Sequence, residues 1–150
     1  MKVNLQFGIK TYSGTVDGMT FGSYKKDTIC IGRKHVSPRI TENNTNMGAK
    51  MKNLSLVYGS VTSGYKDDLK TYAIANAANV PKGKLPPTSF AIFVKMMFLF
   101  SELDSGHIDL ATVSITDLQT LGEDIACISA AVENGYLQNA PGADLLTATL

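Results

Sequence analysis

Basic side chains cluster in the stretch GRKHVSPR, residues 32–39, and in the turn just before it. The cations concerned are Lys25, Lys26, Arg33, Lys34, His35 and Arg39. Guanidinium and ammonium groups at this density bind phosphates or the carboxylates of a protein partner. In an extended strand Arg33 and Lys34 point to opposite faces, which divides the cluster. We therefore predict the solvent-exposed end of a strand that is used for protein–protein contact, rather than an element that reads a nucleic-acid groove.

Residues suited to catalysis are few. The two histidines, His35 and His107, lack a recognisable nucleophile and orienting group, because Ser105 is close to His107 only in sequence. Asp104, His107 and Asp109 are side chains of the types that ligate a cation, but their D-x-x-H-x-D spacing matches no dedicated metal-binding loop, and a capped helix end is the better interpretation. Neither histidine is therefore predicted to be catalytic.

The glycines do not form a phosphate-binding loop, and the carboxylates do not form a catalytic pair. Gly59 and Gly64 have the separation of a phosphate-binding loop, but tyrosine and lysine follow where that loop needs lysine and serine or threonine. The adjacent acids at 67–68 and at 123–124 point about 100° apart on a helix, so neither pair forms a catalytic carboxylate pair. Acids in the first turn of a helix interact favourably with the helix dipole, which explains both pairs. We predict no catalytic residues, no metal and no cofactor, so an enzyme is the weakest of the function classes.

The net charge of +1 conceals a division of charge along the chain. Residues 1–84 hold 13 basic and five acidic residues, a net +8, whereas residues 85–150 hold one basic and eight acidic residues, a net −7. Three interpretations fit: the basic half faces nucleic acid, one copy's basic half meets the acidic half of another, or the halves neutralise each other within one fold. For the second, the candidate acidic counter-surface is Glu123, Asp124 and Glu133.

Composition indicates a globular protein without a visible secretory or membrane segment. The chain has 150 residues, 44% of them hydrophobic, which is the size of one domain. Cys30 and Cys127 are far apart and are predicted to be free thiols. The longest apolar run, residues 90–100, is interrupted by Lys95 and is shorter than the roughly 20 residues that a membrane span requires. We expect the protein to be cytoplasmic, or part of a virion assembled in the cytoplasm, with no membrane partner.

Hydrophobic periodicity predicts an α+β fold, with a small N-terminal antiparallel β-meander followed by four to five helices. Alternation over 2–9, 15–24 and 28–36 indicates three strands, with a kink or turn at Gly18 and a polar turn over 25–27. The region from 107 to 113 is predicted to be a short extended segment.

The helices are predicted from apolar stripes and from their capping residues. They begin near Met47, near Gly64, at Phe90 after a Thr88 or Ser89 cap, and after Ser114, whose spacing from Asp117 suits a capping box. A further helix over 123–134 is predicted to end at Gly135. The third is apolar nearly all round and belongs at the centre of the fold or at an oligomer interface.

These elements are assigned to a single domain of 150 residues. Its parts are a meander over 1–36 and a mainly helical region over 47–150, which contains an internal loop over 79–89. The leucines of the C-terminal tail are expected to pack on this chain or on a neighbour.

One pattern in the first half of the chain resembles a known group of sequences. The matching residues are Gly14, Gly18, Phe21, Gly22, Arg33, Val36, Pro38 and Arg39. They resemble a group of small phage, phage-like and Bacteroidetes proteins, in which a Gly-rich hairpin leads into a strand ending R-x-x-V-x-P-R. Where that group often continues with Asn-Pro and a Gln/Arg-rich helix, this chain has Ile40, Thr41 and Glu42 and then a Lys/Met-rich helix. The resemblance implies a virion-associated or filament-like structural role and brings no catalytic residues.

The leading prediction is a non-enzymatic structural protein that self-assembles, as a phage virion component or a filament subunit. Its partners would be further copies of itself or other structural proteins. The assembly or phosphate contacts are assigned to Lys25, Lys26, Arg33, Lys34 and Arg39. The alternative is a nucleic-acid-binding or packaging accessory protein that uses the basic N-terminal half, for which Phe21 and Tyr24 would offer stacking surfaces.

Overall fold

A computed structural model describes residues 2–3, 9, 11–24, 29–37, 39–81, 84–103 and 108–150. It confirms the α+β class, with a four-stranded antiparallel sheet followed by five α-helices. The backbone forms two compact units, Met1–Ile40 and Thr41–Leu150. That both units belong to one domain stays a prediction.

The N-terminal sheet has the strand order β1-β4-β3-β2. Its strands are β1 (Lys2–Val3), β2 (Gly14–Val16), β3 (Met19–Tyr24) and β4 (Ile29–Lys34). The predicted strand over 15–24 is instead a hairpin, because Asp17 and Gly18 both have positive φ, 48° and 72°, as a two-residue turn between twisted strands requires. Most of the predicted strand over 2–9 and the turn at 25–27 lie outside the described residues.

The helical unit contains α1 (Glu42–Ser60), α2 (Ser63–Ala75), α3 (Ser89–Leu103), α4 (Ile115–Leu121) and α5 (Ile128–Glu133). The predicted start of α1 at Met47 is wrong by five positions, because the Thr41 hydroxyl caps the helix by accepting a hydrogen bond from the Asn44 N–H at 3.3 Å. Thr88 caps α3 in the same way through the Ala91 N–H, at 3.2 Å.

Two other predictions about the second half need correction. The predicted helix over 123–134 is divided into a 3₁₀ turn, Glu123–Ile125, and α5. At the division the tail bonds to the backbone: the Leu150 N–H donates to the Ala126 carbonyl, and the Ser129 N–H donates to the Leu146 carbonyl. The region predicted to be extended, 107–113, is a turn over its described part, where the Val113 N–H donates to the Asp109 carbonyl at 2.9 Å.

The core of the helical unit is built around α3. Ile92, Phe93, Met96, Met97 and Phe100 are all buried, so the apolar helix lies at the centre of this unit. Two tail leucines, Leu146 and Leu150, are buried against the same core, whereas Leu145 is 78% exposed. No helix in the described part of the chain is both long enough and apolar enough to cross a membrane.

The predicted capping box at the start of α4 is confirmed. The Ser114 hydroxyl and N–H both donate to Asp117 Oδ2, at 2.7 and 2.9 Å, and the Asp117 N–H donates back to the Ser114 hydroxyl. These bonds to its charged form hold the pKa of Asp117 below its ordinary value of 3.8. The helix start is therefore stabilised by an ionised carboxylate.

We expect this capping box to make the folding stability of the protein depend on pH in the acid range. A carboxyl whose pKa is lowered by folding contributes stability above its unfolded value, and loses it as pH falls below about 3.8 through the folded value. Asp117→Asn should therefore flatten the acid limb of the melting temperature plotted against pH. Asp144→Asn, which removes an exposed carboxylate elsewhere, is the matched control. An unchanged acid limb in Asp117→Asn would contradict the prediction.

Candidate assembly surface

The two faces of the N-terminal sheet differ in how they are covered. Strand register and pleat place Val3, Met19, Phe21 and Cys30 on one face. There Cys30 is 1% exposed. The Tyr12 ring lies edge-on to Phe21, with their centroids 5.8 Å apart. We call this the packed face of the sheet.

The opposite side, which we call the open face, carries Thr15, Thr20, Gly22, Tyr24, Ile29, Ile31 and Arg33. Side chains at its end form a short polar chain, in which the Thr20 hydroxyl lies 3.0 Å from that of Thr15 and 3.2 Å from His35 Nδ1. The open face therefore presents aromatic, aliphatic and cationic groups together.

A shallow groove lies on the open face above Gly22. Its volume is about 250 Å³, and it is lined by Thr20, Phe21, Gly22, Ser23, Tyr24, Ile31 and Arg33, which together define the Gly22 groove. A Cβ added to Gly22 would meet no atom within 4 Å, so the missing side chain creates the depression. Small-molecule sites usually enclose about 300–1,000 Å³. This groove is thus matched to a side chain of a partner rather than to a cofactor.

The basic residues predicted to form one cluster are divided by the sheet. Arg33 lies opposite Thr20 on the open face, whereas Lys34 lies opposite Met19 on the packed face. Arg39 is exposed in the connector after β4. Lys25 and Lys26 lie outside the described residues. Among the predicted contact residues that the structure describes, Arg33 is therefore the one whose side chain lines the Gly22 groove.

Arg33 and Lys34 form no ion pair with a described carboxylate of the N-terminal unit. The ion pair found among the described residues joins Lys70 and Asp67 in α2, at 2.7 Å. The Arg33 side chain is exposed on the open face, where its charge is accessible to a carboxylate or phosphate of a partner.

The predicted acidic counter-surface lies in the second half of the helical unit. Glu123 and Asp124 begin the 3₁₀ turn after α4, Glu133 ends α5, and all three are exposed. The Asp124 carboxylate accepts a hydrogen bond from the Tyr136 hydroxyl at 3.3 Å. Leu121, two residues before Glu123, is 60% exposed and was not among the predicted site residues.

Two tyrosines of the core have raised pKa values. Burial raises the pKa of Tyr65, whose hydroxyl donates to the Ile125 carbonyl at 3.1 Å. Burial also raises the pKa of Tyr72, whose hydroxyl donates to the Gln138 carbonyl at 2.6 Å. Both tyrosines join α2 to the second half of the unit. Their shifts therefore have a structural cause.

Metal-ligand geometry is absent from the residues that the structure describes, since no three His, Cys, Asp or Glu side chains converge there. Of the three possible cation ligands in the sequence, Asp104 and His107 lie outside those residues. The third, Asp109, accepts a hydrogen bond from the Ala111 N–H at 2.9 Å and so stabilises its own turn.

The fold and this surface define a small α+β protein with an open sheet face and a basic groove. No protein-family model, curated protein or solved structure matches the chain. Function must therefore be inferred from the surface itself.

Proposed function

We propose that this protein is a non-enzymatic structural subunit that self-assembles, as a component of a phage virion or of a protein filament. Its location in the cytoplasm, or in a virion assembled there, is part of this proposal. The resemblance of the Gly-rich hairpin and of the segment from Arg33 to Arg39 to small phage, phage-like and Bacteroidetes proteins supports the same class. The proposal covers copies of this chain or other structural proteins as partners.

The observation that carries the proposal is how few hydrophobic side chains are buried among the described residues of the N-terminal unit. Among the described residues of Met1–Ile40, Cys30 is the one hydrophobic residue that is buried, and its thiol is free. Units of about 40 residues usually need a disulfide, a metal or association with a partner to be stable. The open face, with half-buried Tyr24, Ile29 and Ile31, supplies apolar surface for such an association.

Light scattering across a salt series tests this function. Mass is measured from about 50 mM to 1 M salt, where screening lengths fall from roughly 14 to 3 Å. We expect species well above the 16.1 kDa chain at low salt, without nucleic acid, and smaller species at high salt. Arg33→Glu should weaken assembly, whereas Lys52→Glu, which makes the same charge change at an exposed position of α1, should not. A wild-type protein that is monomeric throughout would contradict the proposal.

A second candidate is a nucleic-acid-binding or packaging accessory protein. The observation that favours it is that Tyr24 and Arg33 line the same groove, since an aromatic ring beside a cation suits a stacked base and its phosphate. Repeating the salt series with single-stranded DNA separates the two. A monomer that gains mass with DNA alone, and loses it at high salt, would support this candidate instead.

A further inference from the structure

A rigid apolar corner of the helical unit has the properties that the Gly22 groove requires of an occupant. We define the Leu121 corner as residues 121–124. It presents the exposed Leu121 side chain with two exposed carboxylates, those of Glu123 and Asp124, directly after it. An apolar anchor flanked by carboxylates is the counterpart of an apolar groove with an arginine at its rim.

The backbone of the Leu121 corner is held in place by hydrogen bonds. The Gly122 N–H donates to the Leu118 carbonyl at 2.9 Å, and the Ile125 N–H donates to the Gly122 carbonyl at 3.0 Å. Ile125 itself is fully buried and anchors the turn to the core. A preorganised anchor loses little conformational entropy on binding, which favours a specific contact.

Charge also favours this pairing between copies. The N-terminal unit, residues 1–40, has seven basic and two acidic residues, a net +5, while residues 41–150 have seven basic and eleven acidic residues, a net −4. Sheet faces on two copies would repel each other if they met directly. A contact between the sheet of one copy and the helical unit of another joins opposite charges.

We infer that the Leu121 corner of one copy docks in the Gly22 groove of a second copy, an inference that rests on the proposed self-assembly. Leu121 would pack against Tyr24 and Ile31, and the Glu123 carboxylate would pair with Arg33. Because the two surfaces differ, each contact joins the groove of one copy to the corner of another. Two copies that exchange corners form a closed dimer, and copies that do not exchange them form a ring or an open filament.

Blocking each surface separately tests the inference. Gly22→Phe fills the groove from a position where an added side chain has open space, and Leu121→Asp removes the apolar anchor. Each variant alone is expected to be monomeric. An equal mixture should form heterodimers of twice the 16.1 kDa chain mass and nothing larger, because one intact groove and one intact corner remain. Leu103→Asp, which changes a leucine that is 64% exposed, is the matched control and should assemble as wild type.

A charge exchange provides a second test, using exposed positions that leave the fold intact. Arg33→Glu and Glu123→Arg should each weaken assembly about tenfold or more, because each replaces an attraction between opposite charges with a repulsion between like charges. The double variant places a glutamate in the groove of one copy and an arginine on the corner of the next, so the ion pair forms again with its charges exchanged. It should recover most of the lost assembly. Failure of the double variant to recover would overturn the assigned pair.

The outcomes separate this inference from the function on which it rests. A monomeric wild type would refute self-assembly and with it the docking. A wild type that assembles while Gly22→Phe and Leu121→Asp assemble equally well would refute the docking alone. A wild type that binds single-stranded DNA and loses that binding in Gly22→Phe, with no self-assembly, would show that the groove holds nucleic acid.

Discussion

Replacing Phe93 by alanine is expected to lower the free energy of unfolding of the helical unit by about 3–5 kcal/mol. Phe93 is fully buried in the second turn of α3, and its ring centroid lies 5.3 Å from that of Tyr58 in α1. Alanine leaves a cavity that surrounding helices fill only partly, so both transfer and cavity costs apply. Since domains are stable by only about 5–15 kcal/mol, the variant should lose a large share of its stability. Urea denaturation followed by circular dichroism measures the change.

Phe98, on the same helix but only partly buried, is the matched control for this prediction. Phe98→Ala should cost less than Phe93→Ala, because less apolar surface returns to water. The comparison also distinguishes the two interpretations of an all-apolar helix. If Phe93→Ala left stability unchanged but reduced assembly, α3 would be an interface rather than the centre of the unit.

Local sequence patterns were sufficient for much of the fold. The β-branched run of β4, the apolar α3 and the Ser114–Asp117 capping box each depend on residues that are neighbours along the chain or one turn apart. Gly135, with φ of 79°, follows α5 in the left-handed conformation that glycine favours. Such elements are encoded by side-chain spacing and capping chemistry.

The errors arise where distant residues decide the local structure. The predicted helix over 123–134 has adequate apolar periodicity, but the Leu150 N–H bonds to the Ala126 carbonyl and occupies the place of a helical bond. That contact joins positions that are 24 residues apart, so no local pattern could reveal it. The late start predicted for α1 has a local cause instead, because the apolar stripe begins only after the first turn, whereas Thr41 caps the helix before Glu42.

The candidate site was predicted only in part, because it also depends on contacts between residues that are distant in sequence. Arg33 was identified because its charge is visible in the sequence. The Gly22 groove was not, because it depends on the register that places Gly22 opposite Ile31 and Arg33 opposite Thr20. Leu121 was also missed, since a leucine in a helical stripe is normally expected to be buried, and only the tertiary packing leaves it 60% exposed.

Among the glycines that the structure describes in the helical unit, Gly122 is the one where a change to alanine is expected to be most disruptive, costing about 2–3 kcal/mol. A Cβ at Gly122 would lie 2.5 Å from the Leu118 carbonyl oxygen and 3.1 Å from Ile125 Cγ1. The first of these is a backbone atom in the last turn of α4, so no side-chain rotation relieves the clash. Gly48→Ala in α1, where an added Cβ meets nothing within 4 Å, should instead be stabilising by about 0.5–1 kcal/mol.

The same substitution should also affect assembly, because Gly122 lies within the Leu121 corner. Relief of the clash requires the backbone between α4 and the 3₁₀ turn to move, which shifts Leu121 relative to Glu123. We therefore expect Gly122→Ala to lose assembly at temperatures where circular dichroism still shows it folded, whereas Gly48→Ala should assemble as wild type. Assembly that declines only in step with unfolding would indicate that the corner contributes stability but makes no contact with a second copy.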